Sequence, residues 1–244
     1  MVDALIREAR VFADAHLLTR GLAEEAARII SDAIAARGRC TVCLSGGATP
    51  KSLNELWARD YAERIPWAKI DFFWGDERYV PQDDPRSNFR MTRETLLTHV
   101  AIPPGNIHPV PTGAMRPADA AREYEAEMKK VFAATGVPEF DLLFLGLGPE
   151  GHTASLFPES PALGEKQSWV VAVDVDAEPR ERITITLPVI NCARNVFFLV
   201  EGKKKREILR TIRDEPEGDS SPYPAARVRS AGRVIWFLDQ AAFD

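Results

Sequence analysis

The chain carries seven short apolar runs, at 41–44, 70–74, 142–145, 169–173, 183–187, 196–200 and 234–238, with no strict alternation of polar residues. Successive side chains of a strand point to opposite faces, so a strand that is apolar throughout must be covered on both. Helical stretches lie between several of the runs, at 50–58, 87–97, 117–134 and 203–212. Ahead of the first run, Leu5, Ala9, Phe12, Ala15, Leu22, Ala26, Ile29, Ala33 and Ile34 recur at helical spacing, so residues 3–37 read as one or two helices. Gly21 marks a candidate break within them and Gly38 a C-terminal stop. Strands alternating with helices predict an α/β fold with a mainly parallel sheet and helices on both faces. Residues 102–117, rich in Pro and Gly, and residues 214–224, acidic and then rich in Ser and Pro, read as loops rather than long linkers. A length of 244 residues suits a single domain over 1–244.

Composition excludes several functions. The formal charge is −5, with basic residues interspersed among acids, so no broad footprint for nucleic acid exists. A small anion needs only a local cationic cluster and stays open. Three cysteines give no disulfide framework. Cys40 and Cys43 have C-x-x-C spacing, but they sit inside the first apolar run and read as small core side chains rather than a redox pair. No second Cys/His pair stands at zinc spacing, so no metal is expected. No apolar stretch reaches the roughly 18 residues of a membrane span, and residues 1–5 carry an early acid and no signal-like apolar region. The cytoplasm is the expected compartment.

In an open α/β sheet, ligands sit beyond the carboxyl ends of the strands, so the residues following each run are the informative ones. After the first run come Ser45, Gly46, Gly47, Ala48, Thr49 and Pro50. Paired glycines let backbone N–H groups turn toward an anion, and Pro50 suits the first position of a helix, whose N-terminus favours negative charge. A plain tight turn fits the same residues. The nucleotide P-loop pattern does not, because Lys51 and Ser52 follow Pro50 where that motif requires Gly. After the second run come Asp76, Glu77 and Arg78. Charge runs are usually solvated surface, but this one abuts a buried strand, where Asp76 and Arg78 can hold sugar hydroxyls or phosphate. After the third run, Gly146 to Gly151 spell a literal G-x-G-x-x-G, with Asp174 at about the distance a dinucleotide site requires. Against that reading, His152 stands where the helix should begin, and the first loop is the better phosphate cradle. Of four histidines, His16, His99 and His108 read as structural or solvated. His152 alone follows a strand in a glycine-rich turn, and an imidazole there can take a proton from water near neutral pH. Lys203, Lys204, Lys205 and Arg206 crowd a helix start against its dipole, which a phosphate ligand explains; Arg182 can join them.

Taken together, residues 44–50, 74–81 continuing to Ser87 and Asn88, and 146–158 resemble the 6-phosphogluconolactonases, within the glucosamine-6-phosphate isomerase/deaminase superfamily. Weaker matches lie at 182–184, 202–205 and 236–239. The stretches run in family order from residue 44 to 239. The sequence departs from the family at Ala48, usually Ser, and at Glu150, usually Asp. The resemblance implies a modified Rossmann-like α/β fold and hydrolysis of 6-phospho-D-glucono-1,5-lactone to 6-phospho-D-gluconate in the oxidative pentose phosphate pathway. It implies no metal or organic cofactor. The expected substrate site is Ser45, Gly46, Gly47, Ala48, Thr49, Arg78, Arg182 and Lys205; the expected catalytic set is His152 as general base with Asp76 and Glu150. Backbone N–H groups of the 148–151 turn are the expected oxyanion donors. The alternatives are a glucosamine-6-phosphate deaminase and a non-catalytic phosphosugar sensor. The small-molecule lactone is the expected partner, with the chain a monomer or homodimer.

Overall fold

Of the described residues (8–113, 116–133, 136–214 and 220–244 of a computed structural model), the apolar runs form the strands that place the site. In chain order the elements are β1 (Ala9–Phe12), α1 (Ala15–Arg37), β2 (Cys40–Leu44), α2 (Ala48–Asp60), β3 (Ile70–Trp74), β4 (Asp76–Arg78), α3 (Asn88–Thr92), α4 (Pro117–Phe132), β5 (Leu142–Gly146), β6 (Val170–Asp174), β7 (Glu181–Ile185), α5 (Leu187–Cys192), β8 (Asn195–Val200), α6 (Arg206–Asp214), β9 (Arg233–Asp239) and α7 (Gln240–Phe243). Leu5, Ala134 and residues 114–115 and 215–219 of the two expected loops lie outside the described residues.

Six strands make one parallel sheet in the order β1-β9-β8-β5-β2-β3, flanked by helices. Every residue of β2 and β3 is buried, as their unbroken apolar character requires. Cys40 and Cys43 belong to that core with free thiols, which burial pushes well above the usual range. The β2–β5 seam is the shortest in the sheet. Only Val42↔Leu142 and Cys43↔Leu143 stand in register there, whereas β2 and β3 pair from Cys40↔Ile70 to Leu44↔Trp74. At the amino end of that seam Asp141 fastens the strands: its carboxylate accepts from the Thr41 amide at 2.9 Å and pairs with Arg37 at 2.5 Å.

Two expectations need correction. Residues 9–12 are not helical: β1 pairs with β9 from Ala9↔Trp236 to Phe12↔Asp239, and the Phe12 ring stacks on Phe237 at 6.1 Å. A partner strand overrides the local helical spacing. The helix starts only at Ala15, where Asp14 accepts from the Leu17 amide at 2.8 Å, and it runs unbroken through Gly21. Gly21 instead makes room for Phe12, whose ring a Cβ would overlap. Second, the runs at 169–173 and 183–187 leave the parallel sheet. As β6 and β7 they join β4 in a separate antiparallel sheet ordered β4-β7-β6. The chain between them is too short for the crossover that parallel neighbours require. Gly75 links the two sheets: its amide donates to Leu44 of the first, and its carbonyl accepts from Ile185 of the second, both at 2.9 Å. Among the described residues no helix is long and apolar enough to cross a membrane.

Candidate active site

From β2 the chain steps outward to β3, then returns across β2 to β5 on its other flank. The loops after β2 and β5 therefore leave in opposite directions, which opens a crevice at the carboxyl ends of these two strands. A cleft of about 410 Å³ occupies that place, a size ordinary for a small ligand. Ser45, Gly46, Gly47, Ala48 and Thr49 line it together with His152, so the glycine loop and the imidazole share one cavity. Asp76, Arg78, Arg182 and Lys205 line it too.

The glycine loop ends on Gly47, which precedes α2 with φ of 109° and supplies no side chain to cap it. The first-turn N–H groups of α2 thus have no side-chain acceptor and favour a bound anion. Pro50 is third in the helix rather than first, still within the turn where its missing N–H costs nothing.

Asp76, Arg78 and Arg182 reach the cleft from the small sheet. Its register sets Arg78 directly across from Arg182, an arrangement of like charges that is unfavourable without an anion between them. Arg182 is buried and donates through Nε to the Pro179 carbonyl at 2.5 Å. Burial, reinforced by the Arg78 charge, holds its guanidinium below the usual range. Arg78 donates to the Arg86 carbonyl at 2.7 Å, while its own Nε is buried with no hydrogen-bond partner. Of the four consecutive cations, only Lys205 reaches the cleft. The first three form a 3-10 turn and Arg206 opens α6, bonded to the Ala241 carbonyl at 3.2 Å. Lys205 donates to the Leu147 carbonyl at 2.5 Å, and burial lowers the pKa of its ammonium.

His152 stands in the β5 turn with Nδ1 at 2.8 Å from Glu150 Oε1. The carboxylate can only accept, so Nδ1 carries the proton and Nε2 is left as the basic nitrogen. The longer side chain at Glu150 therefore still reaches the ring. Glu150 itself does not line the cleft; it works from behind. Gly148 is required here, because a Cβ at that position would overlap the His152 ring. The expected oxyanion donors are partly spent: the Gly148 amide donates to the His152 carbonyl at 2.9 Å and the Gly151 amide to Gly148 at 3.1 Å. Closing the turn consumes these two amides. No helix follows the turn, so the literal G-x-G-x-x-G lacks the helix N-terminus on which a dinucleotide site depends.

Asp76 does not bond to His152. Its carboxylate accepts from Ser155 Oγ at 2.7 Å, while the Ser155 amide donates to Thr184 Oγ1 at 3.2 Å. Asn88, Ser155 and Phe157 also line the cleft and were given no role from sequence. Asn88 donates through Nδ2 to the Asp76 carbonyl at 2.9 Å and lies against Gly46. Its neighbour Glu77 is buried, and desolvation raises its carboxyl from 4.5 to about 7. Among the described residues no group of three or more His, Cys, Asp or Glu could hold a metal ion.

Residues 13–236 match the family model for glucosamine-6-phosphate isomerases and 6-phosphogluconolactonase. The chain belongs to this family. The 6-phosphogluconolactonase of Synechocystis is 49% identical over 215 residues, covering 87% of each chain. That of Mycobacterium tuberculosis is 37% identical over 243 residues, covering 95% of each. The crystal structure of the Thermotoga maritima 6-phosphogluconolactonase superposes with a TM-score of 0.82 at 32% identity, covering 96% of this chain and 99% of that one. Family membership accounts for the six-stranded parallel sheet and for the order in which the cleft-forming loops appear along the chain.

Proposed function

We propose that the chain hydrolyses 6-phospho-D-glucono-1,5-lactone to 6-phospho-D-gluconate in the pentose phosphate pathway, with His152 as general base. The supporting observation is one cleft that holds both a cationic, glycine-lined cradle and an imidazole fixed by a carboxylate. The phosphate, with about −1.5 to −2 charges at pH 7, sits on the Gly46–Thr49 loop with Arg182 and Lys205. That anchor fixes the lactone carbonyl near His152, so binding at the far end of the sugar lowers the barrier at C1. Nε2 takes a proton from water as the oxygen attacks C1. The bond from C1 to the ring oxygen then breaks, and the imidazolium returns its proton to that oxygen. Glu150 holds the tautomer, and Asp76, fixed by Ser155, faces the sugar. Names of relatives as similar as 49% agree with this chemistry.

The test is His152→Ala, with folding checked by circular dichroism and turnover corrected for spontaneous hydrolysis. Loss of about 10²-fold or more is expected; near-wild-type turnover rejects the role. A deaminase would release ammonia from glucosamine-6-phosphate. Ser155, Leu156, Phe157 and Pro158, which follow the histidine segment, offer no acid for that ring opening.

A further inference from the structure

His152 is held by three neighbours, Glu150, Gly148 and Phe157. Glu150 holds Nδ1, and Gly148 lies so close to the ring that a Cβ there would overlap it. One face of the imidazole is covered by Phe157, whose ring centroid is 4.1 Å from that of the imidazole with the planes 18° apart. Five residues along an extended chain would carry Phe157 well away from His152. A tight reversal brings it back. Thr153 and Leu156 bridge each other, the Thr153 amide donating at 3.3 Å and the Leu156 amide at 3.0 Å. The reversal is pinned by Thr153 Oγ1 on the Gly146 carbonyl at 2.9 Å and by fully buried Leu156. It requires Ala154 to adopt φ of 50°, a region that costs a non-glycine residue free energy and persists only where the surroundings enforce it.

A hydrogen bond to Nδ1 alone leaves the imidazole free to swing about its χ2 torsion, which is soft for an sp³–sp² bond. Close packing against Gly148 and stacking on Phe157 stop that swing. We infer that Phe157 is a positioning residue for hydrolysis: stacked on the imidazole, which also packs closely on Gly148, it fixes the ring plane and so aims Nε2 at the reacting centre. This rests on His152 being the general base. Phe157 lines the cleft, yet the face it presents to His152 is unavailable to the sugar.

The experiment uses the full chain with Phe157→Leu, Phe157→Met and Phe157→Tyr, each also made in the His152→Ala background. Phe157→Leu and Phe157→Met should lower kcat roughly 10–100-fold, the scale expected for misplacing a catalytic group by about an ångström. KM should stay within about twofold, because the phosphate anchor is untouched. Phe157→Tyr keeps the ring and should restore kcat. In the His152→Ala background the same substitutions should leave the residual rate unchanged, since Phe157 acts through the imidazole. The His152 Hε1 proton resonance should lose its ring-current shift in the Leu and Met variants and keep it in Tyr, a readout independent of turnover. Undiminished kcat, a raised KM at constant kcat, or an equal loss in both backgrounds overturns the proposal. If His152→Ala itself retains full turnover, the general-base reading fails instead.

Discussion

Glu77 pits burial against hydrogen bonding, and its pH dependence decides which wins. The side chain is 1% exposed. Oε1 accepts from the amides of Arg78 at 2.8 Å and Asn88 at 2.7 Å; Oε2 accepts from the Phe89 amide at 2.7 Å and Ser87 Oγ at 3.1 Å. Those donors favour the carboxylate, yet desolvation outweighs them and raises the carboxyl from 4.5 to about 7. The neutral form is accommodated because a proton on Oε2 can be given to Ser87 Oγ, a hydroxyl able to reverse its role. A folded-state value above the unfolded one means that Glu77 stabilises most below pH 4.5 and loses this as pH rises through 7. At about 1.4 kcal/mol for each tenfold change, the rise amounts to about 3 kcal/mol, most of it between roughly pH 5 and 8. Glu77→Gln removes the titration but keeps the volume, and it leaves one of the four donors without an acceptor at a cost of about 1–3 kcal/mol. Urea unfolding of both proteins, followed by circular dichroism from pH 5 to 8, measures the difference. The wild type should be the more stable at pH 5, and its advantage should shrink by roughly 2–3 kcal/mol toward pH 8. A constant or widening gap would refute the reasoning, and would mean that four hydrogen bonds keep Glu77 ionised throughout.

Gly148→Ala should reduce kcat by about 10²-fold in a folded protein, since its methyl group must push the His152 ring aside; undiminished kcat counts against the packing described. Arg182→Ala should lower kcat/KM for the phosphorylated lactone roughly 10–100-fold, while unphosphorylated gluconolactone changes little; equal losses on both would place Arg182 away from the phosphate. Ala133, exposed after α4 with φ of 45°, should yield about 0.5–1 kcal/mol of added stability on replacement by glycine. A urea midpoint that falls instead would contradict the backbone strain assigned there.

The parallel core was legible because burial on both faces writes itself as unbroken apolar runs, and β2, β3, β5 and β8 all show it. The cleft loops were legible because glycine-rich turns and a histidine follow such runs at the strand ends where an α/β sheet binds ligands, although a plain tight turn fitted the first loop equally well. β1 was not, since four residues on a sheet edge obtain their conformation from β9 rather than from their own pattern. The small sheet was hidden for a related reason: β4 is three charged residues that become a strand only beside β7. Ser155 and Phe157 were in view within the 146–158 stretch, but their roles depend on a reversal at Ala154 that no residue type announces. Charge alone does not distinguish the four cations at 203–206; Lys205, the one the resemblance implied, is the one that the 3-10 turn brings to the cleft.

The two-pair seam between β2 and β5 has a price beyond the cleft it opens. With so few amide bonds across it, cohesion there falls to the Thr41–Asp141–Arg37 fastening at the far end and to side-chain packing. The half made of β3 and β2 and the half made of β5, β8, β9 and β1 must therefore dock before either loop has a partner. Neither half alone contains both the glycine loop and His152, so on the proposed mechanism turnover is itself a gauge of whether this last joint has closed.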